Sequence, residues 1–246
     1  MTLIVALACS DGLVMAADSA STDSLSGTKQ IVTKIQQIGD RPILFGGAGD
    51  AGLIQKIVER LDGLRIRPST NFMSTRRRIR QACLPEMSEA VRTHVRHLMR
   101  GYETPPTAIL LFGCVHDNKP HIIEIEADGR DTEYDQNLGC FQAIGSGKTF
   151  AQAMIRPHLT RERDLALGKI IAYRVIEDSI ELSAGGLAKP IRLYTLTLDE
   201  SFTELDSNEL NNLGNLCKLW REIEGEALGR LVTPLQNQTP AIIPEP

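Results

Sequence analysis

The chain opens with two short apolar segments, and neither of them has a polar face. Residues 2–9 and 13–17 are almost entirely apolar, and the turn-forming run Ser10-Asp11-Gly12 joins them. A strand with one face in water alternates apolar and polar residues, whereas a strand that is buried on both faces does not. We therefore predict a β-hairpin whose strands lie between two other layers of the protein.

The remaining pattern predicts blocks of strands separated by helices. Strands are expected at residues 31–38, 42–45, 108–115, 121–126, 140–144 and 191–198, with helices following Asp50 and Gly147 and covering about 74–100, 165–180 and 208–228. This order lacks the strict alternation of a parallel doubly wound fold. It favours an α+β fold in which two antiparallel sheets pack together with helices outside, which is a four-layer αββα sandwich.

The domain prediction follows from the absence of an internal repeat or a linker in the sequence. We expect one domain over residues 1–230, with a core at about 2–200 and a C-terminal helix at about 207–229. Residues 231–246 contain four prolines and are predicted to form an extended, mobile tail.

Composition excludes several classes of protein. Of the 246 residues 42% are hydrophobic and the net charge is −4, which is unlike a disordered chain. No apolar run reaches the roughly 18 residues that a membrane-spanning helix needs. The acidic balance argues against nucleic-acid binding, and we interpret the basic run 76–80 as a solvated helix face. The five cysteines are scattered and form no CxxC pair, so we expect neither a disulfide framework nor a zinc site, and we expect a reducing cytoplasm.

Two glycine-rich motifs superficially resemble nucleotide-binding loops. Residues 47–52 match GxGxxG, but no second strand ending in an acidic residue follows at the required distance. Residues 145–149 end like a P-loop, but Gln142 occupies the position of its first glycine. We interpret both motifs as tight strand-to-helix turns, with Ser146 as a helix N-cap that is compatible with a supporting role in a site.

Thr2 directly follows the initiator methionine, and a residue as small as threonine normally permits removal of Met1. Removal would place a free α-amine and a hydroxyl on one residue. The amine, with a pKa of about 7.7–8.0, is a usable base near neutral pH, and it can activate the hydroxyl as a nucleophile.

The spacing downstream of Thr2 resembles the start of a proteasome β-type subunit. In that family a nucleophilic threonine begins a strand, a hairpin leads to Ala-Asp-Ser, and a lysine and a glycine-rich turn follow. This chain has Ala17-Asp18-Ser19, Lys34 and the run 46–50, and it has the Gly-Ser-Gly sequence 145–147 before a later helix. The similarity covers roughly residues 2–200 and is greatest to bacterial homologues without a prosegment, so removal of one methionine would be enough to create the nucleophile.

The resemblance implies a role for each matching residue. Lys34 would lower the pKa of the neighbouring amine and favour loss of the hydroxyl proton, and Asp18 would keep Lys34 charged and oriented. The N–H of Gly47, or of Gly46 because the alignment slips there, would donate to the oxyanion. Ser146 would form a hydrogen bond near the α-amine.

One stretch departs from the family pattern. The family has Asp-x-x-Ser-Gly-Gly after its fourth helix, where this chain has Glu-Leu-Ser-Ala-Gly-Gly at residues 181–186. Glu181 aligns with the Asp, and Ala184 aligns with the Ser. Ser183 could replace that serine through a shift of one residue, and Asp178 is a rival for the acid. Small or apolar residues around Ala20 hint at a preference for apolar substrate side chains.

The expected activity is hydrolysis of peptide bonds in polypeptide substrates through an acyl-enzyme on Thr2, without a metal or an organic cofactor. The resemblance implies a homo-oligomeric ring or stack of rings, with no nucleic-acid or membrane partner, and it leaves any unfoldase unidentified. Two alternatives stay open, namely a catalytically silent assembly subunit and an amidase that acts on a small molecule.

Overall fold

The computed structural model describes residues 2–22, 29–38, 42–65, 71–97, 106–135, 139–159, 163–182 and 186–236. The strands in chain order are β1 (Leu3–Cys9), β2 (Gly12–Ala17), β3 (Ala20–Thr22), β4 (Lys29–Ile31), β5 (Ile35–Ile38), β6 (Ile43–Gly49), β7 (Ala108–His116), β8 (Lys119–Ile125), β9 (Asp131–Glu133), β10 (Phe141–Gly145), β11 (Arg192–Thr197) and β12 (Phe202–Glu204). The α-helices are α1 (Ala51–Asp62), α2 (Phe72–His97), α3 (Lys148–Ile155), α4 (Leu165–Glu181) and α5 (Ser207–Gln236).

Two five-stranded antiparallel sheets form the centre of the molecule. The first sheet has the order β10-β1-β2-β11-β12, and the second has the order β5-β6-β7-β8-β9. A separate two-stranded ribbon joins β3 to β4. Leu3, Val5 and Leu7 of β1 pack against α3, α4 and α5, whereas Ile4 and Ala6 pack between the sheets. Both faces of the hairpin are therefore buried, which explains why its sequence shows no polar face.

The helices cover the outer faces of both sheets. One apolar cluster lies between the first sheet and α3, α4 and α5, and another lies between the second sheet and α1 and α2. Asp50 caps α1 by accepting a hydrogen bond from the backbone N–H of Leu53 at 2.8 Å. The predicted four-layer αββα architecture is confirmed. No helix in the described ranges is both long enough and apolar enough to cross a membrane.

The predicted strand 31–38 is two strands. Ile31 ends β4 and pairs with Ala20, whereas Ile35 begins β5 and pairs with Gly46. The chain changes partners over residues 32–34, and Lys34 therefore lies just before β5 instead of within a strand. The continuous apolar pattern concealed this change.

The glycine-rich run after Phe45 continues the strand and does not form the predicted turn. Gly46 to Gly49 pair with β7 as the end of β6. The glycines serve close packing: a Cβ on Gly46 would lie 2.8 Å from Cδ1 of Ile4. Only Gly49 needs unusual backbone freedom, because its φ is +134° and a Cβ there would lie 2.1 Å from the Thr107 carbonyl oxygen.

Two helices differ in detail from the sequence pattern. The helix α5 ends at Gln236, so six residues assigned to the tail are helical, and residues 237–246 lie outside the described ranges. Gly225 and Gly229 weaken a helix by about 1 kcal/mol each but do not stop it. In α3, Ala151 and Ile155 are buried as predicted, whereas Phe150 is partly exposed. The division into a single domain stays a prediction.

Candidate active site

Strand register brings Thr2 to the same end of the first sheet as Asp18 and Ser146. Leu3 pairs with Gly145 on β10, and Ile4 pairs with Ala17 on β2. Thr2 precedes β1, Asp18 follows β2, and Ser146 follows β10. Residues that are 16 and 144 positions from Thr2 in the chain thus become its neighbours because three adjacent strands end or begin at one edge.

Asp18 is the most extensively hydrogen-bonded of these residues. Its carboxylate accepts hydrogen bonds from the backbone N–H groups of Leu3 at 2.9 Å and Ala20 at 3.0 Å. It also accepts one from Nζ of Lys34 at 2.7 Å, and the more distant N–H of Ala188 lies at 3.4 Å. The side chain is fully buried, so these donors replace the water that the carboxylate loses. Asp18 therefore fixes the start of β1 relative to Lys34.

Lys34 approaches from the edge of the second sheet. Its side chain is 6% exposed and forms an ion pair with Asp18. Burial lowers the pKa of the Lys34 ammonium below its usual value, while the hydrogen bond and the charge of Asp18 oppose that change. Lys34 is therefore a buried amine near the start of β1, and its charge depends on Asp18. Such a group can change the pKa values of nearby atoms.

Ser146 contacts the backbone of Thr2 through its hydroxyl. Its Oγ lies 3.4 Å from both the backbone nitrogen and the carbonyl oxygen of Thr2. The tight turn requires Gly145, whose φ is +96°, because a Cβ would lie 2.0 Å from the Thr2 carbonyl oxygen. Ser146 does not cap α3 as predicted. The N-cap is Gly147, and it has no side-chain hydrogen bond.

Gly46 and Gly47 lie on β6, and Gly46 comes close to Lys34. A Cβ on Gly46 would approach Ile4 and, at 3.3 Å, the carbonyl oxygen of Lys34. Gly47 pairs with Leu110 on β7, whereas the pairing with β5 ends at Gly46. The second sheet thus brings backbone groups without side chains close to Lys34, as an oxyanion site would require. The choice between Gly46 and Gly47 stays open.

Glu181 is not brought into contact with Thr2. It is the last residue of α4 and is exposed, and its side chain forms no hydrogen bond or ion pair with the described residues. Its rival Asp178 forms ion pairs with Arg174 and Arg221 on the outer helices instead. Ser183 lies outside the described residues. The departure from the family pattern therefore coincides with the end of α4.

Comparison with known proteins identifies the family of this chain. The proteasome-subunit family model matches residues 2–188. The chain belongs to the proteasome family. Proteasome subunit beta 1 of Thermococcus gammatolerans is 31% identical over 179 residues, which cover 73% of this chain and 81% of that protein. Proteasome subunit beta 2 of Pyrococcus abyssi is 28% identical over 213 residues, which cover 85% and 92%.

Solved structures of bacterial proteasome homologues share the fold of this proteasome-family chain. Anbu, described as an ancestral beta-subunit, from Yersinia bercovieri superimposes with a TM-score of 0.71 at 18% identity, covering 98% of this chain and 99% of that one. The helical assembly of the Anbu complex from Pseudomonas aeruginosa gives a TM-score of 0.72 at 15% identity, covering 99% and 100%. The predicted likeness to bacterial proteasome homologues is confirmed.

The structure adds a contact at Ser19 that the sequence did not indicate. The segment around Ala188 contacts the site through its backbone, since its carbonyl accepts a hydrogen bond from the N–H of Ser19 at 3.0 Å. Ser19 is fully buried, and its Oγ has no hydrogen-bond partner among the described residues. No local signal links Ser19 to a backbone 169 residues away, so only the tertiary fold reveals this contact.

Among the described residues no cluster of three or more His, Cys, Asp or Glu side chains is arranged to hold a metal ion. The GxGxxG motif begins in an antiparallel strand, which is not the βαβ setting of a dinucleotide-binding loop. None of the five cysteines, all of which lie in the described ranges, forms a disulfide. The arrangement at the start of β1 contains the groups for nucleophilic chemistry: a hydroxyl, an adjacent backbone nitrogen and a buried ion pair.

Proposed function

We propose that this proteasome-family chain is a threonine-type peptidase that hydrolyses peptide bonds through an acyl-enzyme on Thr2 after Met1 is removed. The observation that supports it best is the buried Asp18–Lys34 pair, which is hydrogen-bonded to the first residue of β1. A buried ion pair is costly to desolvate and adds little to stability compared with apolar residues of the same size. Because the pair lies beside a candidate nucleophile, we interpret it as part of the catalytic chemistry and not as a source of stability.

The reaction needs only groups of the chain itself. The hydroxyl oxygen of Thr2 attacks the scissile carbonyl carbon while its proton passes to the α-amine. The tetrahedral intermediate then collapses, its C–N bond breaks, and the ammonium returns the proton to the leaving amine. An ester on Thr2 remains. Water then attacks the carbonyl carbon of the ester while the α-amine accepts one of its protons. The C–O bond to Thr2 breaks, the carboxylic acid product leaves, and the ammonium returns the proton to the oxygen of Thr2.

The neighbouring residues assist particular steps. The Lys34 ammonium favours the neutral form of the nearby α-amine, which must be unprotonated to act as a base. Asp18 holds Lys34 in its charged form. The hydroxyl of Ser146, already 3.4 Å from the Thr2 nitrogen, would orient the amine. A backbone N–H of Gly47 or Gly46 would stabilise the oxyanion. Glu181 and Ser183 stay in the proposal only as sequence candidates for the amine's support.

We also infer that the chain acts as a homo-oligomer in the cytoplasm. The Anbu complex from Pseudomonas aeruginosa, which has this fold, forms a helical assembly, and exposed apolar residues on α5 of this chain are available for contacts between copies. The odd number of scattered cysteines, none of which forms a disulfide, suits a reducing compartment. Polypeptides would be the substrates.

An epoxyketone or β-lactone probe tests the nucleophile directly. The intact protein should lack Met1 and gain one probe mass per chain, and Thr2→Ala should gain none. A substrate screen of peptides against small amides then separates a peptidase from a small-molecule amidase. A folded, assembled protein without a Thr2-dependent adduct would instead indicate a catalytically silent assembly subunit.

A further inference from the structure

A second buried polar cluster lies beside the Ser146 turn and has no part in the reaction described above. Its centre is Glu124 on β8, which is 1% exposed. The Glu124 carboxylate accepts hydrogen bonds from the hydroxyl of Tyr134 at 2.6 Å, from Nζ of Lys148 at 3.0 Å and from Nε2 of Gln142. Three donors from three different segments therefore converge on one buried carboxylate.

The donors are attached to both sides of the turn that carries Ser146. Gln142 lies on β10, just before the turn, and Lys148 is the first residue of α3, just after it. Nε2 of Gln152, one turn further along α3, donates to Oε1 of Gln142 at 2.8 Å. The turn is thus tied at its entrance and at its exit. Gln142 and Lys148 bind Glu124 directly, and Gln152 is linked to it through Gln142. Glu124 belongs to the second sheet, whereas β10 belongs to the first.

Glu124 and Lys148 each compensate an unfavourable charge of the other. A cation at the first position of a helix faces the positive end of the helix dipole, which is unfavourable by itself. Glu124 offsets that effect for Lys148, and Lys148 in turn supplies the countercharge that a buried carboxylate needs. Burial and the neighbouring Glu124 also raise the pKa of Tyr134, so its phenol stays neutral. The cluster therefore carries one negative and one positive charge.

We propose that Glu124 is a positioning residue that holds the Ser146 turn on Thr2 and keeps the Lys148 charge neutralised. The inference rests on the proposed peptidase function. The candidate site takes Thr2, Asp18 and Ser146 from the first sheet and Lys34 with the glycines from the second. Glu124 and Gln142 connect those two sheets next to the turn, so they determine how the two halves of the site meet. Misplacement of a reacting group by about 1 Å can cost about 100-fold in rate.

The Thr2 α-amine provides an electrostatic readout of this arrangement. Asp18 binds the backbone N–H of Leu3, next to Thr2, and pairs with Lys34, while Glu124 binds Lys148 and Tyr134, and Glu126 also acts on Tyr134. Removing the negative charge of Glu124 leaves the Lys148 cation unbalanced two residues from Ser146. An unbalanced cation lowers the pKa of the amine, and an unbalanced carboxylate raises it.

The test compares Glu124→Gln, Lys148→Met and the double variant with the matched control Glu126→Gln. Glu126 is two residues from Glu124 and pairs with the surface residue Arg130. Rates are measured per active site, counted with the covalent probe, so that loss of folded protein does not enter. We expect kcat to fall about 10- to 100-fold in Glu124→Gln with KM little changed. In the pH profile of kcat/KM, the rise on the acid side should move to lower pH, because the unbalanced Lys148 cation lowers the pKa of the α-amine.

The remaining variants separate charge from packing. Lys148→Met should move the acid limb to higher pH, and the double variant should return it towards the original position while kcat stays low. Glu126→Gln should change neither quantity. Adding Ser146→Ala to Glu124→Gln should cost less than Ser146→Ala alone, because both act through the same turn.

Two results would reject the role of Glu124, and a third would reject the proposed peptidase mechanism instead. If Thr2→Ala abolishes activity but Glu124→Gln keeps the original kcat and pH profile per active site, Glu124 has no positioning role. If Glu124→Gln only lowers the number of active sites, its role is confined to folding. If Thr2→Ala retains activity, the proposed peptidase mechanism itself is wrong.

Discussion

At the scale of single residues, removing one member of the buried Asp18–Lys34 pair should destabilise the fold. Asp18→Asn removes the carboxylate charge that pairs with the buried Lys34 ammonium. Losing one member of a buried pair costs about 3–5 kcal/mol of unfolding free energy. Urea denaturation should show this loss. Glu89→Gln, which breaks an exposed pair with Arg92, is the control and should change the midpoint little.

The lowered pKa of Lys34 gives a pH dependence with a definite sign. In the unfolded chain the amine binds its proton up to its ordinary pKa of 10.5, whereas the folded protein releases the proton at lower pH. Between those two values the unfolded state binds more protons, so the unfolding free energy rises with pH. This contribution is complete above 10.5 and is lost as the pH falls through the lowered pKa.

Comparison of the original chain with Lys34→Met isolates that contribution from other titrating groups. The difference in unfolding free energy between the two proteins should change with pH between the lowered pKa of Lys34 and 10.5. A difference that is flat across this window would mean that Lys34 titrates normally in the folded protein. Activity of Lys34→Met per folded chain should fall about 10²- to 10⁴-fold, as for loss of acid–base assistance.

At the scale of elements, the Gly145 turn should tolerate no side chain. Gly145→Ala combines a φ of +96° with a Cβ that would lie 2.0 Å from the Thr2 carbonyl oxygen. We expect a loss of about 1–3 kcal/mol in unfolding free energy and a large loss of activity. Gly225→Ala is the matched control, because its Cβ would point into open space on α5. It should raise helix stability by about 0.5–1 kcal/mol and leave activity unchanged. Equal effects at both glycines would contradict the strained geometry.

The elements that follow local periodicity were predictable from the sequence, and those that depend on distant partners were not. The apolar face of α1, its Asp50 cap and the two-sided burial of the first hairpin follow from the order of residues alone. The break between β4 and β5 arises because the chain changes from one partner strand to another. The glycines of β6 look like a turn locally, yet they pair with β7 as a strand, and Ile4 and Ile54 occupy the space that side chains would need.

The candidate site shows the same division. Thr2, Asp18, Lys34 and Ser146 could be named as candidates because their spacing resembles that of a known family. The role of Ser146 as a helix cap was wrong, since helix geometry placed Gly147 at that position. Glu124 could not be named in advance, because a single acidic residue in an apolar strand has no sequence context. Its partners come from three other elements that meet only in the folded protein.

At the scale of the whole molecule, α5 offers an apolar surface on which self-assembly can be tested. Leu216, Leu219 and Ile223 are all about half exposed or more, and helical spacing places them on one side. Replacing all three with glutamine should reduce the oligomer to smaller species while the protomer keeps its thermal transition. Native mass spectrometry measures the change. The control is Lys218→Gln with Glu222→Gln, which alters exposed polar residues on the same helix and keeps the net charge. An unchanged oligomer in the triple variant would place the interface elsewhere.

The identity of the nucleophile decides whether the other residues have the roles assigned to them. An epoxyketone has two electrophilic centres, a ketone and an epoxide. It forms a cyclic adduct only with a residue that carries both a hydroxyl and a free amine. Peptide mapping of the treated protein should therefore find one probe on an N-terminal Thr2 with Met1 absent, and Thr2→Ala should carry none. Retention of Met1, or an adduct that persists in Thr2→Ala, would contradict the assignment of Thr2 as the nucleophile.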